Sequence, residues 1–309
     1  MSLTRNVLLR ASKSQWLQHQ VTHRSFTRRA VRRFMPGERV EDALAAAEVL
    51  AGQKLGTVLT QLGEDLTSLA EADAVRDHYL TLFDKIKARG LPGQVSVKPT
   101  QLGLNLSPEA CARHFDALAA KGAATGIFLG IDMEDSTYVD RTLDLYRGLR
   151  AKYDLVGIAL QSYLRRTPRD LESLLPLKPR IRLVKGAYME PADIAYPAKR
   201  DVDNAYFDLG DEMLAHAAKG DLWPIFGTHD MNLVQRLTNR AAERGVKDGT
   251  YEIHMLYGIR SADQLALVAS GRVVKTLVSY GSAWFRWYLR RLAERPANVG
   301  FVMRSLMPW

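Results

Sequence analysis

Arg290 and Arg291 stand side by side near the end of the chain, in the run Tyr280-Gly-Ser-Ala-Trp-Phe-Arg-Trp-Tyr-Leu-Arg-Arg-Leu-Ala-Glu294. At about 100° per residue, Trp287, Arg290, Arg291 and Glu294 fall on one stripe of a helix, with Phe285, Tyr288, Leu289, Leu292 and Ala293 opposite. A guanidinium is planar, always charged and able to grip a carboxylate through two parallel hydrogen bonds. The plainer reading is a solvated face on which Arg290 and Glu294 form an ordinary i,i+4 pair. More polar residues sit at the ends of short apolar runs: Lys98, Asp132, Gln161, Lys185, the trio Thr228-His229-Asp230, Tyr257 and Tyr280, with Arg182 and His254 inside their runs. Lys98, Arg290 and Arg291 could hold a small anion, and Tyr188, Trp287 and Tyr280 could wall it. No nucleophile–base pair accompanies them, a combination suited to a small carboxylate substrate whose chemistry is carried by a bound cofactor.

Each residue also has a duller role. Lys98 could be a solvated strand end, Asp132 part of a helix N-cap region, and His229 a lone structural histidine. Arg182 lies within an apolar strand, where a charge needs a partner, and Asp132 is the candidate. No cluster has metal-ligand spacing, and no nucleophile elbow, Walker loop or zinc-protease motif occurs.

The elements that must position these residues alternate from residue 40 onward. A helix over 41–54 precedes the runs 57–62, 94–98, 126–132, 155–161, 180–185, 223–228, 251–256 and 272–278. Helical patterns follow at 70–89, 108–121, 137–153, 168–175, 203–219, 231–245, 261–270 and from Tyr280. Strands alternating with helices imply parallel pairing, and eight units predict a closed α/β barrel, (β/α)8, over 40–309. An open doubly wound sheet is the alternative, but no Gly-x-Gly-x-x-Gly follows the first strand. In a barrel, the C-terminal strand ends form the mouth, and that is where the polar residues collect.

The 309 residues are 47% hydrophobic and 25% charged, an ordinary globular balance. No run of 18 apolar residues suggests a membrane span. The single cysteine, Cys111, excludes an intrachain disulfide; it fits a cytoplasmic setting and reads as helix packing. The net charge of +9 is concentrated in residues 1–39, which hold nine Lys/Arg against Glu38 alone. This basic helical arm reads as a solvated segment, a contact for acidic lipid at a membrane periphery, or a transit peptide; the Val7-Leu8-Leu9 run is too short for a secretory signal.

Four motifs together carry a family resemblance: Arg182-Leu-Val-Lys-Gly-Ala-Tyr188, Ile131-Asp-Met-Glu-Asp-Ser136, Gly227-Thr-His229 and Arg290-Arg-Leu-Ala-Glu294. In that order, over residues 30 to the end, the chain resembles the one-domain bacterial proline dehydrogenases. The resemblance implies a distorted TIM barrel with extra N-terminal helices and FAD at its mouth. It implies oxidation of L-proline to Δ1-pyrroline-5-carboxylate, with a hydride passing from proline C5 to flavin N5 and electrons then to a membrane quinone. By the same resemblance Lys98, Arg290 and Arg291 bind the proline carboxylate, and Asp132 and Arg182 belong to the catalytic centre. Leu183, Tyr188 and Tyr280 shape the pocket around the ring. Met133, Gln161, Lys185, Gly186, Ala187, Thr228 and His229 contact the flavin, and Glu294 pairs within the arginine helix. Two positions depart from the pattern: Trp287 replaces an expected tyrosine, and His254 stands where relatives often have glutamine.

Two other functions fit parts of the chain. Lys185 could be the Schiff-base lysine of a barrel lyase or aldolase, its pKa depressed by Arg182 and Lys98. The basic arm could bind nucleic acid, although the resemblance implies no nucleic-acid partner.

Overall fold

The computed structural model describes residues 33–63 and 66–284. Helix α1 (Val40–Gly52) is followed by β1 (Gly56–Gln61), α2 (Leu69–Ala88), β2 (Gly93–Val97), α3 (Pro108–Thr125), β3 (Leu129–Ile131), α4 (Val139–Arg150) and β4 (Val156–Gln161). The chain continues through α5 (Thr167–Leu174), β5 (Arg180–Val184), α6 (Lys199–Ala217), β6 (Trp223–Gly227), α7 (Met231–Glu243), β7 (Glu252–Leu256), α8 (Ser261–Ala269) and β8 (Val274–Tyr280). The eight strands pair in sequence order and all in parallel, and β8 returns to β1 to close the barrel.

Local chemistry sets the helix ends. Ser68 and Ser107 accept hydrogen bonds from the amides of Glu71 and Ala110, and Asp230 caps α7 through Asn232. Pro108 opens α3, where its missing N–H costs nothing. α3 runs four residues beyond expectation, to Thr125, and Gly126 closes it at φ +74°. That turn consumes the start of the expected third strand, which is only Leu129–Ile131. β8 lies two residues later than expected because its ladder with β1 runs from Gly56↔Lys275 to Gln61↔Tyr280. The expected helix carrying Trp287, Arg290, Arg291 and Glu294 lies outside the described residues.

Outward-facing strand residues meet the helices in a continuous apolar layer. Val95 and Val97 of β2, Tyr79 and Phe83 of α2, and Phe115 and Leu118 of α3 are fully buried there. Burial of each such side chain contributes roughly 1.5–3 kcal/mol. Helix α1 packs on β8 and β1, the place a helix following β8 takes in a regular barrel. The end of the basic arm, 33–39, lies on the barrel as well: Met35 is buried, and Glu38 accepts a hydrogen bond of 3.1 Å from the Trp284 indole. Residues 1–32 lie outside the described residues. Among the described residues no helix is long and apolar enough to cross a membrane.

Candidate active site

Strand alternation sends every second side chain into the barrel. On β2 these are Gln94 and Ser96, on β5 Arg180 and Arg182, and on β7 Glu252 and His254. Asp132 follows β3 directly, and its amide continues the ladder by donating to Val97 O. Its Oδ1 accepts from Ser96 Oγ at 2.7 Å and forms an ion pair with Arg182 Nη2, which also donates to Ser96 Oγ at 3.1 Å. The partner expected for Arg182 is thus in place, at the end of β3, one strand removed from β5. Ser96, which sequence reasoning passed over as a small polar residue, is the third member of the group. Its only signal was its position, two residues before Lys98 on the same strand face.

Lys98 ends β2 and opens the short turn Pro99–Leu102. Glu134 lies opposite, accepting from Thr100 N at 2.9 Å and Thr100 Oγ1 at 2.6 Å. Burial raises the Glu134 carboxyl above the ordinary carboxylate range; the Thr100 hydrogen bonds and the nearby Lys98 charge oppose that rise. Glu134 was legible only as part of an acidic loop, because its burial is decided by neighbouring strands.

The next rim sector runs over β4, β5 and β6. Gln161, nearly fully buried, donates through Nε2 to Glu134 O at 2.7 Å. Met133 is buried beside this strand end. Lys185 reaches Asp203 at 2.5 Å and Asp230 at 3.1 Å. Burial alone would raise those two carboxyls, but the Lys185 and Lys199 ammonium groups together outweigh it and hold both below the ordinary range. Gly186 has φ +114°, and a Cβ there would sit 2.2 Å from the Tyr163 ring. Only glycine allows both the backbone turn and the close ring contact. Ala187 and Tyr188 follow, partly exposed at the rim. Thr228 Oγ1 accepts from Asp230 N, and His229 Nε2 accepts from Leu256 N at 2.9 Å, so the His229 ring is anchored to the end of β7. A loop contact completes this side: Glu190 accepts from Ser136 N and Ser136 Oγ, each at 2.7 Å, joining the segments after β3 and β5. This sector offers an ammonium, a threonine, an imidazole and a side-chain amide on three consecutive strands, a set able to hold a polar, anionic cofactor. Among the described residues no group of three His, Cys, Asp or Glu could hold a metal ion.

Three of the residues singled out in the sequence lie apart from this rim group. Leu183 is on the outer face of β5, in the apolar layer, where the Tyr206 hydroxyl donates to its carbonyl. Tyr280 likewise points outward, because register pairs it with Gln61; its hydroxyl is 2.7 Å from His78 Nε2 on α2. His254 lies inside the barrel below the rim, its Nε2 2.8 Å from Glu252 Oε2. The signal for this last pairing was the Glu252-x-His254 spacing, which puts both side chains on one face of a strand. Cys111 is buried, its thiol pushed up to about 12 by burial, which leaves it a packing residue.

The comparisons with known proteins agree with this architecture. The family model for proline dehydrogenase matches residues 43–304. Proline dehydrogenase 1 of Bacillus subtilis subsp. natto is 33% identical over 281 residues, 91% of this chain and 92% of the relative. Proline dehydrogenase of Deinococcus radiodurans is 35% identical over 280 residues, 89% of each chain. Among solved structures, proline utilization A (PutA) from Bdellovibrio bacteriovorus, inactivated by N-propargylglycine, superposes with a TM-score of 0.80 at 22% identity. That match covers 86% of this chain and 32% of the larger protein, and it speaks to the fold alone. A closed barrel with an acid–guanidinium pair in its mouth, a family match over most of its length and two curated relatives of equal span establish that the chain belongs to the proline dehydrogenase family, the enzymes that oxidise proline.

Proposed function

We propose that this enzyme oxidises L-proline to Δ1-pyrroline-5-carboxylate with FAD held against the β4–β6 side of the mouth, and passes the electrons to a membrane quinone. The observation that carries the reading is the Ser96–Asp132–Arg182 group set beside the Gln161–Lys185–Thr228–His229 sector. The first supplies fixed charges next to a small substrate, and the second fits a flavin: Gln161 places a buried amide at the end of β4, Gly186 lets the backbone approach closely, and Lys185 supplies positive charge. Bound FAD would supply the acceptor for the hydride released from the C5–H bond of proline as the nitrogen lone pair forms the C5=N bond.

The protein's own residues position and stabilise. Lys98 at the end of β2 and Arg290 and Arg291, outside the described residues, are assigned to the proline carboxylate; Tyr188 is assigned to the ring. Holding one end of the substrate directs C5 toward the cofactor, and orientation of this kind supplies several kcal/mol of the barrier. Asp132, locked by Arg182 and Ser96, keeps a fixed negative charge in the site, which favours the iminium that develops as the neutral amine's lone pair moves in. Met133, Ala187 and Thr228 pack or donate around the cofactor, and Lys185 balances charge that accumulates on it. The N-terminal arm is assigned to peripheral contact with anionic lipid at the cytoplasmic face, which would bring the enzyme to its quinone.

The purified protein is expected to be yellow and to bleach when L-proline is added without oxygen. A colourless protein that gains no flavin spectrum with added FAD would reject the cofactor assignment. Arg290→Met and Arg291→Met should each raise KM for proline by roughly 10- to 100-fold, the value of one charge-assisted hydrogen bond. Wild-type KM in both variants would reject the carboxylate assignment.

A further inference from the structure

Below the Arg182–Asp132 pair the barrel interior is not completely filled. Gly130 and Gly157, which have no side chain, and Ala159 lie on adjacent strands and leave a small cavity of about 10 Å³, room for roughly one water, that Gln94, Arg182 and His254 also line. A polar chain holds Gln94 and His254 from behind. Lys275 Nζ donates to Glu252 at 2.9 Å, Gln94 Nε2 donates to both Glu252 oxygens at 3.1 and 3.3 Å, and His254 Nε2 lies 2.8 Å from Glu252 Oε2. Burial opposes ionisation of Glu252, but His254 and Lys275 outweigh it and hold the carboxyl at about 2. Burial holds His254 at about 4, neutral at physiological pH, with Glu252 and the Arg182 and Lys275 cations as its charged neighbours.

These facts assign the protons. A carboxylate only accepts, so His254 Nε2 carries the hydrogen and Nδ1 keeps its lone pair. Gln94 turns its amide nitrogen to the same carboxylate, so its oxygen faces away from it. His254 Nδ1 and Gln94 Oε1 are therefore both acceptors, both on residues at least nine-tenths buried, and neither has a hydrogen-bond partner among the described residues. Leaving two buried acceptors without donors is costly, so the site calls for a donor to each. Water supplies two donors from one small molecule and keeps an oxygen to accept from a guanidinium such as Arg182, and polar cavities of this kind hold water while apolar ones stay dry.

We propose that this cavity binds ordered water that donates to His254 Nδ1 and Gln94 Oε1 and accepts from Arg182, making His254 a positioning residue for the Arg182–Asp132 pair. The proposal rests on the assignment of that pair to the active site. His254 meets the substrate nowhere; it acts through water and Arg182.

The test uses the holoenzyme. A high-resolution crystal structure is expected to show density within about 3.2 Å of both acceptors, and ¹⁵N-histidine spectra should show one imidazole neutral and Nε2-protonated throughout pH 6–9. An Nδ1-protonated ring at His254, or a dry cavity, overturns the water site. For the positioning role, His254→Leu should lower kcat by roughly 10- to 100-fold, as small misplacements in a site do, with little change in KM. His254→Gln keeps an acceptor and should recover most of that loss. Wild-type kcat in His254→Leu, with water still seen in the parent enzyme, overturns the positioning role. Arg182→Met separately tests the underlying assignment: unchanged turnover there rejects the active-site reading whatever the cavity holds. If His254→Leu does not fold, density and tautomer in the unaltered enzyme still decide the water site, and kcat of His254→Gln against that of Gln94→Leu decides the positioning role, with Gln94→Leu expected to show the larger loss and equal rates overturning it.

Discussion

Arg182 is the side chain with most at stake. Its guanidinium is largely removed from water, and its charge is balanced by Asp132. Removing one partner of such a pair leaves an uncompensated charge, at a cost of up to roughly 3–5 kcal/mol. Asp132→Ala should therefore lower the urea midpoint markedly as well as abolish turnover. Asp132→Asn keeps an acceptor for Arg182 and should lose turnover with a smaller stability loss, which equilibrium unfolding of the two variants would separate. A double role of this kind is visible in the sequence only in part. An arginine inside an apolar strand announces that it needs a partner, but that Asp132 is the partner, and Ser96 the third member, depends on strand tilt and barrel closure. Leu183 shows the converse. Its neighbours Arg182 and Lys185 mark a functional strand, yet the period of two turns it toward the helices.

At the scale of an element, the segment after β5 shows how backbone and site are coupled. Gly186 takes φ +114° against the Tyr163 ring, and the same segment places Lys185 between Asp203 and Asp230 and Glu190 against Ser136. Gly186→Ala would strain the backbone and push the ring, shifting the segment rather than the barrel. The expected result is a protein that unfolds near the parental midpoint but purifies with little bound flavin, measured as the ratio of flavin to protein absorbance. Full flavin occupancy in that variant would show that the segment does not shape the cofactor site. The glycine was legible as part of a motif; its positive φ was not, since that follows from where Tyr163 lies. β3 illustrates the same limit. Its apolar run reads as a longer strand until α3 is seen to continue to a glycine cap at Gly126.

Across the whole molecule, buried titratable groups couple stability to acid. His254 is held at about 4 when folded, against an ordinary value near 6.5. The folded state thus binds fewer protons than the unfolded chain between those values. Stability is fully present above about pH 6.5 and falls as pH drops toward 4, by at most roughly 1.4 kcal/mol per pH unit from this group. Glu252, held at about 2, extends the loss below about pH 4.5. His78 has a lowered pKa as well, chiefly from burial, and adds in the same direction. Denaturant midpoints measured from pH 7 to 4 should fall steadily for the parent enzyme and more shallowly for His254→Gln, which has no titrating ring at that position. Parallel slopes would show that the imidazole is not buried in neutral form.

What the chain alone made certain was the order and kind of its elements. Alternating apolar runs and amphipathic stretches are local patterns, so eight strand–helix units, a closed parallel barrel and a polar C-terminal rim could be read before any contact was known. Which face each strand residue takes, which charges meet, and the filling of the barrel below the mouth required the fold itself. Register and closure are collective properties of eight strands: they turned Tyr280 outward to His78, drew His254 down to Glu252, and brought Ser96, Asp132 and Arg182 together from three separate strands.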